Sequence, residues 1–271
     1  MDSCPRASDD APTPRSSVVG RGRLGTALAR RLAEAGWSVS GPHGRGHDGG
    51  DADLVLLCVP DAAIADAAAA IAPRDGRLVG HCSGATTLAP LAPHEALSLH
   101  PLMTVTGPDS VLAGAPCAVA GATDRARSAA EALAAALGMR AIRVDDADRA
   151  AYHAAASVAA NYLLAVEDLA DRVAAGAGLD RAALGPLVRA AVDGWQDRGA
   201  AQALTGPVAR GDEATVARQR AALADRLPAA DLELFDALTA ATARLAERAH
   251  RDVASRAGAE QARVAAGSAS C

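Results

Sequence analysis

Four groups of residues in this chain have types and spacings that could do chemistry. Gly20-Arg21-Gly22-Arg23-Leu24-Gly25 follows a short apolar run and opens a helical pattern. In that context a G-x-G-x-x-G reads as a seat for a dinucleotide pyrophosphate. Gly20 makes the tight turn, Gly22 lets the backbone approach the phosphates, and Gly25 lets helix and strand pack closely, while free amides at the helix start hold the anion. His100, followed by Pro101, can hydrogen-bond a substrate oxygen or move a proton near neutral pH, or can simply bond a loop carbonyl. His153, Ser157 and Asn161 recur at i, i+4 and i+8, within an arc of about 80° on one helix. Such a polar stripe on an alanine-rich helix faces solvent or a pocket, and we read it as pocket-lining. Thr205 and Arg210 offer a donor and a cation for a substrate carboxylate, although the same residues suit a plain inter-helix turn.

The elements that must position these groups change character partway along the chain. Ser17–Val19, Trp37–Ser40, Asp53–Val59, Arg77–Cys82, Ala96–Leu99, Pro116–Ala120 and Ala141–Val144 read as strands. Leu24–Ala35, Ala62–Ile71 and Asp124–Leu137 read as helices between them. Leu54–Val59 is apolar on both faces, as in a strand buried from both sides. This alternation predicts an α/β, Rossmann-type doubly wound parallel sheet. Beyond about residue 145 only alanine-rich helical periodicity remains, broken by Gly and Pro, so an all-helical domain is expected to follow. The expected organisation is a disordered tail over 1–15, a dinucleotide-binding domain over 16–145, a helical substrate and dimerisation domain over 146–250, and a flexible end over 251–271.

Strand ends supply further candidates, because ligands sit at the carboxyl edge of such sheets. Val59, Pro60 and Asp61 should line the cofactor, with helix capping as the other reading of Asp61. Ser83 and Gly84 should approach the nicotinamide, and His81 is equally read as a satisfied structural histidine. An NAD site usually places a carboxylate about 20 residues after the loop. Here Ser40–His47 carries none before Asp48, whereas His43, Arg45 and Arg21 could meet a 2′-phosphate. NADP(H) is therefore favoured over NAD(H).

Composition sets the outer bounds. The chain has 271 residues, 50% hydrophobic, 22% charged, with net charge −5, which excludes a wholly disordered chain. No apolar run reaches the roughly 18–20 residues that span a bilayer, and a mildly acidic surface makes a poor nucleic-acid binder. All 27 basic residues are arginine, so no lysine Schiff base, lysine acid or P-loop lysine is available. The five cysteines show no metal spacing and no disulfide framework. Cys58 and Cys82 lie in apolar runs where a cysteine is usually a small buried hydrophobe. The start lacks a signal-peptide pattern, and a reducing cytoplasm is the expectation.

The glycine loop, VPDAAI, HCSGA, SLHPL, YHAAAS with Asn161, and LTGPVARGD occur in the order seen in a bacterial Rossmann-like oxidoreductase family. The second part of that family is catalogued only as a domain of unknown function. The resemblance covers about residues 17–249. More distantly the chain is similar to pyrroline-carboxylate reductase, ketopantoate reductase and the hydroxyacid dehydrogenases, which implies a homodimer formed through the helical domain. The dehydrogenases and ketopantoate reductase use a lysine four residues before an asparagine; here Asn161 matches and Ser157 stands at the lysine position. His100-Pro101 also resembles a segment of prephenate dehydrogenases, and the residues after it depart from that pattern. The resemblance implies an NADP-dependent reductase or dehydrogenase and supplies no substrate; our own expectation is hydride transfer to or from a small carbonyl or imine, with His153 or His100 as the acid and Asn161 orienting substrate or nicotinamide. A non-catalytic NADP(H)-binding sensor and a prephenate-dehydrogenase-like enzyme are the alternatives.

Overall fold

The computed structural model describes residues 14–268. The chain divides into two compact units, Met1–Asn161 and Tyr162–Cys271. In the first, seven strands form one sheet in the order β2-β1-β3-β4-β5-β6-β7: β1 (Ser16–Val19), β2 (Val39–His43), β3 (Leu54–Leu57), β4 (Leu78–His81), β5 (Glu95–Pro101), β6 (Pro116–Gly121) and β7 (Arg140–Arg143). The chain steps from β1 outward to β2, then returns to place β3 on the other side of β1. That reversal opens a crevice at the carboxyl ends of β1 and β3.

Alternation along the buried strands explains the two covering layers. Leu54 and Leu56 of β3 point into a core with Leu28 and Leu32 of α1 (Arg23–Glu34) and Leu133 of α3 (Asp124–Ala136). Val55 and Leu57 point the other way, onto Ile64 and Ala67 of α2 (Ile64–Ala69). Thr123 starts α3 by accepting a hydrogen bond from the Ala126 amide at 3.1 Å, as an N-cap threonine does.

The expected all-parallel sheet needs one correction. β5 and β6 are antiparallel, with Leu97 facing Gly121 and Pro101 facing Cys117. A parallel return requires a crossover helix, and residues 102–115, which contain Gly107, Pro108 and Gly114, form none. The other neighbouring pairs are parallel.

The strands end at Arg143, but the first unit continues through α4 (Arg149–Ser157). A π-turn over Val158–Tyr162 follows, then α5 (Leu163–Ala175), α6 (Arg181–Arg198), α7 (Ala200–Ala203), α8 (Glu213–Ala224) and α9 (Ala229–Ser268). The stretch read as a fraying end thus carries the helix through Ser268. Residues 1–13 of the expected tail, with Cys4, and residues 269–271, with Cys271, lie outside the described residues. Among the described residues, no helix is long and apolar enough to cross a membrane.

Candidate functional site

The glycine loop is fitted to its place by contact on two sides. Gly20 has φ +120°, and a Cβ there would overlap the Cys58 carbonyl just past β3; a Cβ on Gly25 would overlap the Gly20 carbonyl. Gly22, the N-cap of α1, has open space where its Cβ would be. No side chain caps α1 and no acidic residue occupies its first turn, so its leading amides remain available to an anion. Gly22, Arg23 and Leu24 border a cavity of about 400 Å³ with Cys58, Val59, Pro60, Asp61, Cys82, Ser83 and Val105.

At the end of β2, His43 pairs in register with Val19 of β1, which brings the 43–47 loop beside the glycine loop. His43 and His47 stack with ring centroids 3.7 Å apart, and His43 Nε2 is buried without a hydrogen-bond partner. Burial, then the neighbouring His47, pushes His43 below the usual imidazole range. Gly44 lies near the Arg21 guanidinium. Among the described residues, Arg21, Arg23 and Arg45 make no ion pair.

The β4 end separates two residues that the sequence left ambiguous. His81 is fully buried, its Nε2 donating to the Thr87 carbonyl at 3.0 Å and its Nδ1 accepting from the Ser83 amide at 3.2 Å. Both ring nitrogens are occupied, which makes it a structural histidine. Asp61 does not cap the short 3₁₀ turn that it begins; it accepts a 2.8 Å hydrogen bond from Ser83 Oγ instead. Ser83 Oγ in turn accepts from the Thr86 amide at 2.9 Å, so the β4 loop is closed on itself and tied to the β3 loop.

A second cavity, of about 600 Å³, is lined by Arg23, His100, Pro101, Met103, Thr104, Val105, Tyr152, His153, Ser157 and Asn161 among others. It shares Arg23 and Val105 with the glycine-loop cavity. His100 Nδ1 and Tyr152 Oη are 2.7 Å apart, and the His100 and His153 rings lie 6.3 Å apart between centroids. Gly84 packs beneath both imidazoles: a Cβ there would come within 2.8 Å of His100 Cε1 and of His153 Cδ2. Burial, reinforced by His153 and Arg149, lowers His100 to about 4. Burial raises Tyr152 to about 12. Both groups are therefore neutral across the physiological range. If the phenol donates to Nδ1, the imidazole keeps its proton on Nε2; if Nδ1–H donates, the phenol keeps its own. Either way the pair presents one donor.

Arg149 holds this arrangement from below. It is 1% exposed and donates to Asp146 Oδ1 at 2.8 Å, to the Ser83 carbonyl at 3.3 Å and to Ser98 Oγ. One guanidinium thus links the β4 loop and β5 to the first turn of α4, the turn that carries Tyr152 and His153 into place. Tyr152 and Arg149 escaped sequence reasoning as site residues. The signal for Tyr152 was available, since it is one of only two tyrosines and adjoins His153. The signal for Arg149 was not, because an arginine in a helix ordinarily reads as solvated.

Ser157 and Asn161 line the same cavity as His153, although the π-turn between Ser157 and Asn161 replaces the regular helix assumed for them. Thr205 and Arg210 belong to the second unit, exposed on the loop between α7 and α8. Among the described residues, no group of three or more His, Cys, Asp or Glu gathers as a metal site.

The sheet order, the glycine turn at the β1/β3 reversal and the uncapped helix start define a Rossmann-type fold. Residues 115–242 match the family model described as Domain of unknown function (DUF2520). The YHAAAS, Asn161 and LTGPVARGD segments lie inside that match, in agreement with the resemblance drawn from them. No curated protein matches the chain. Solved structures share the fold. A Bacteroides fragilis protein, described only provisionally as an NADP oxidoreductase, is 18% identical with TM-score 0.72, over 86% of this chain and 99% of its own. Protein TM1727 from Thermotoga maritima is 22% identical with TM-score 0.70, over 86% and 98%. A reductive aminase from Aspergillus terreus, in complex with NADPH and ethyl levulinate, is 21% identical with TM-score 0.63, over 89% and 94%.

Proposed function

We propose that this protein is an NADP-dependent oxidoreductase that acts on a small carbonyl or imine. The observation that carries the reading is the continuity of the two cavities: Arg23 and Val105 border both the glycine loop and the His100–Tyr152–His153 group. The residues fit the cofactor. The amides after Gly22 would hold the pyrophosphate, Val59, Pro60 and Asp61 would flank it, and Ser83 and Gly84 would face the nicotinamide. Arg45 with Arg21 and His43 would meet the 2′-phosphate, where no carboxylate opposes it. Bound NADPH would supply the hydride. The chain would supply the proton and the fit: His153 as proton donor, the neutral His100–Tyr152 pair as hydrogen-bonding partner to the reacting oxygen or nitrogen, and Asn161 with Ser157 orienting the substrate. Thr205 and Arg210 remain proposed carboxylate holders. An NADPH complex of the similar Aspergillus terreus aminase supports the cofactor class.

The helical unit leaves Leu164, Leu187 and Trp195 more than half exposed. Together with the family resemblance this supports a homodimer joined through the helical unit.

Equilibrium binding of NADPH and NADH, followed by nucleotide fluorescence on wild type and Arg45→Ala, tests the cofactor reading. NADPH is expected to bind more tightly, with the variant losing about tenfold for NADPH, or about 1.4 kcal/mol, and less than about twofold for NADH. Failure of both nucleotides to bind near micromolar removes the oxidoreductase reading. NADPH binding without oxidation across a carbonyl and imine panel, unchanged by His153→Ala, would instead indicate a non-catalytic sensor. The absence of lysine is what keeps that reading in view.

A further inference from the structure

We infer that Cys58 and Cys82 form a peroxide-sensitive dithiol in the floor of the glycine-loop cavity, able to close reversibly to a disulfide. The strand register brings them together. β3 and β4 pair Leu57 with His81, so Cys58 and Cys82 are the next facing residues, and the Cys82 amide continues the ladder onto the Leu57 carbonyl at 3.2 Å. The two sulfurs are 3.6 Å apart. Adjacent strands run about 4.8 Å apart, inside the Cα separation of roughly 4.4–6.8 Å that a disulfide spans. The sulfurs must close to about 2.05 Å, which neighbouring side chains can do without moving a strand.

Their surroundings divide the roles. Both border the cavity, but Cys58 is partly exposed and Cys82 is buried. Hydrogen bonding to Cys58 and burial hold the Cys82 thiol well above the ordinary range, so the attack on an oxidant falls to Cys58. Cys117, the remaining described cysteine, is buried and is pushed up to about 12 by burial.

The co-reactant is a hydroperoxide. The Cys58 thiolate attacks a peroxide oxygen; the S–O bond forms, the O–O bond breaks, and the departing oxygen takes a proton and leaves as water. The Cys82 sulfur then attacks the Cys58 sulfenic sulfur; the S–S bond forms, the S–O bond breaks, and the hydroxyl leaves as a second water with the Cys82 proton. Two thiols and one hydrogen peroxide become one disulfide and two waters, the sulfurs giving up two electrons to the peroxide oxygens.

The test is hydrogen peroxide treatment of the full chain carrying Cys4→Ser and Cys271→Ser, followed by alkylation, intact mass measurement and peptide mapping. A loss of two hydrogens is expected, with a linked Cys58–Cys82 peptide that dithiothreitol separates. Cys82→Ser should lose the link and leave Cys58 as a sulfenic acid trapped by dimedone. Cys58 passing to sulfinic acid without any link, or a link from Cys58 to Cys117, overturns the proposal. A second arm rests on the proposed nucleotide seat: saturating NADP⁺ should slow formation of the link at least tenfold by covering Cys58. An undiminished rate there leaves the dithiol standing and overturns the seat.

Discussion

The sheet unit and the helical unit are built from the same alanine-rich composition and bury it very differently. On the sheet, small residues work well: Gly25, Ala27 and Ala29 let α1 settle closely, and Leu28 and Leu32 are fully buried against the strands. After Tyr162, the buried hydrophobics among the described residues are Leu169, Ala174 and Ala246. Arg172–Asp231, Arg181–Asp171 and Arg220–Asp236 tie the helices together across exposed or half-exposed surface, and such pairs contribute about 0–1 kcal/mol each. Short side chains suffice where a helix can lie on a flat apolar sheet. They leave gaps where helix meets helix, and large apolar groups such as Leu187 then face outward.

The largest expected effect is at the tightest fit. Gly20→Val puts a Cβ into the Cys58 carbonyl at a φ that only glycine adopts easily. It should cost roughly 3 kcal/mol or more and abolish NADPH binding, read by urea unfolding and by fluorescence titration. A variant that unfolds and binds like wild type would mean that the loop is not held as closely as the sheet unit implies.

Acid should act next, again through the sheet unit. His100 stands at about 4 in the fold because burial disfavours the imidazolium, against about 6.5 when unfolded. Between those values the unfolded chain binds a proton that the native chain refuses, so stability rises with pH across the window. This contribution is complete above about pH 6.5, is reduced by about 2 kcal/mol at pH 5, and by roughly 3 kcal/mol near pH 4. The buried His81, also lowered by burial, adds in the same direction. Urea midpoints at pH 7.5 and pH 5 should differ accordingly, and His100→Gln should narrow the gap; an equal gap in the variant would assign the acid sensitivity elsewhere.

The smallest change in stability is expected from Leu187→Glu on the exposed face of the helical unit. Sedimentation should show the proposed dimer of the wild type giving way to a monomer in the variant, while NADPH affinity stays within about twofold. A wild-type monomer would remove the proposed pairing, and a large loss of affinity would show that the substitution also disturbs the proposed nucleotide seat.

How much could be read without coordinates follows from which signals are local. The doubly apolar β3 run, the glycine loop and the change to helix after the last strand all lie in short contiguous segments. The reversed β6 was legible in principle, because residues 102–115 carry no helical period for a crossover. The His100–Tyr152 contact joins residues 52 apart, and no spacing rule reaches that far. Buried Arg149 contradicts the usual behaviour of its type. The facing of Cys58 with Cys82 depends on strand register, which composition and spacing leave open.

The reversal of β6 also has a practical side. Because β6 and β7 run against β1–β5, the exposed residue Ala122, just past β6, lies at the rim opposite Gly20, Pro60 and Ser83. An affinity handle or surface tether grafted at Ala122 would anchor the sheet unit by the edge away from the glycine loop and leave the glycine-loop rim unencumbered, a ready orientation for immobilised assays.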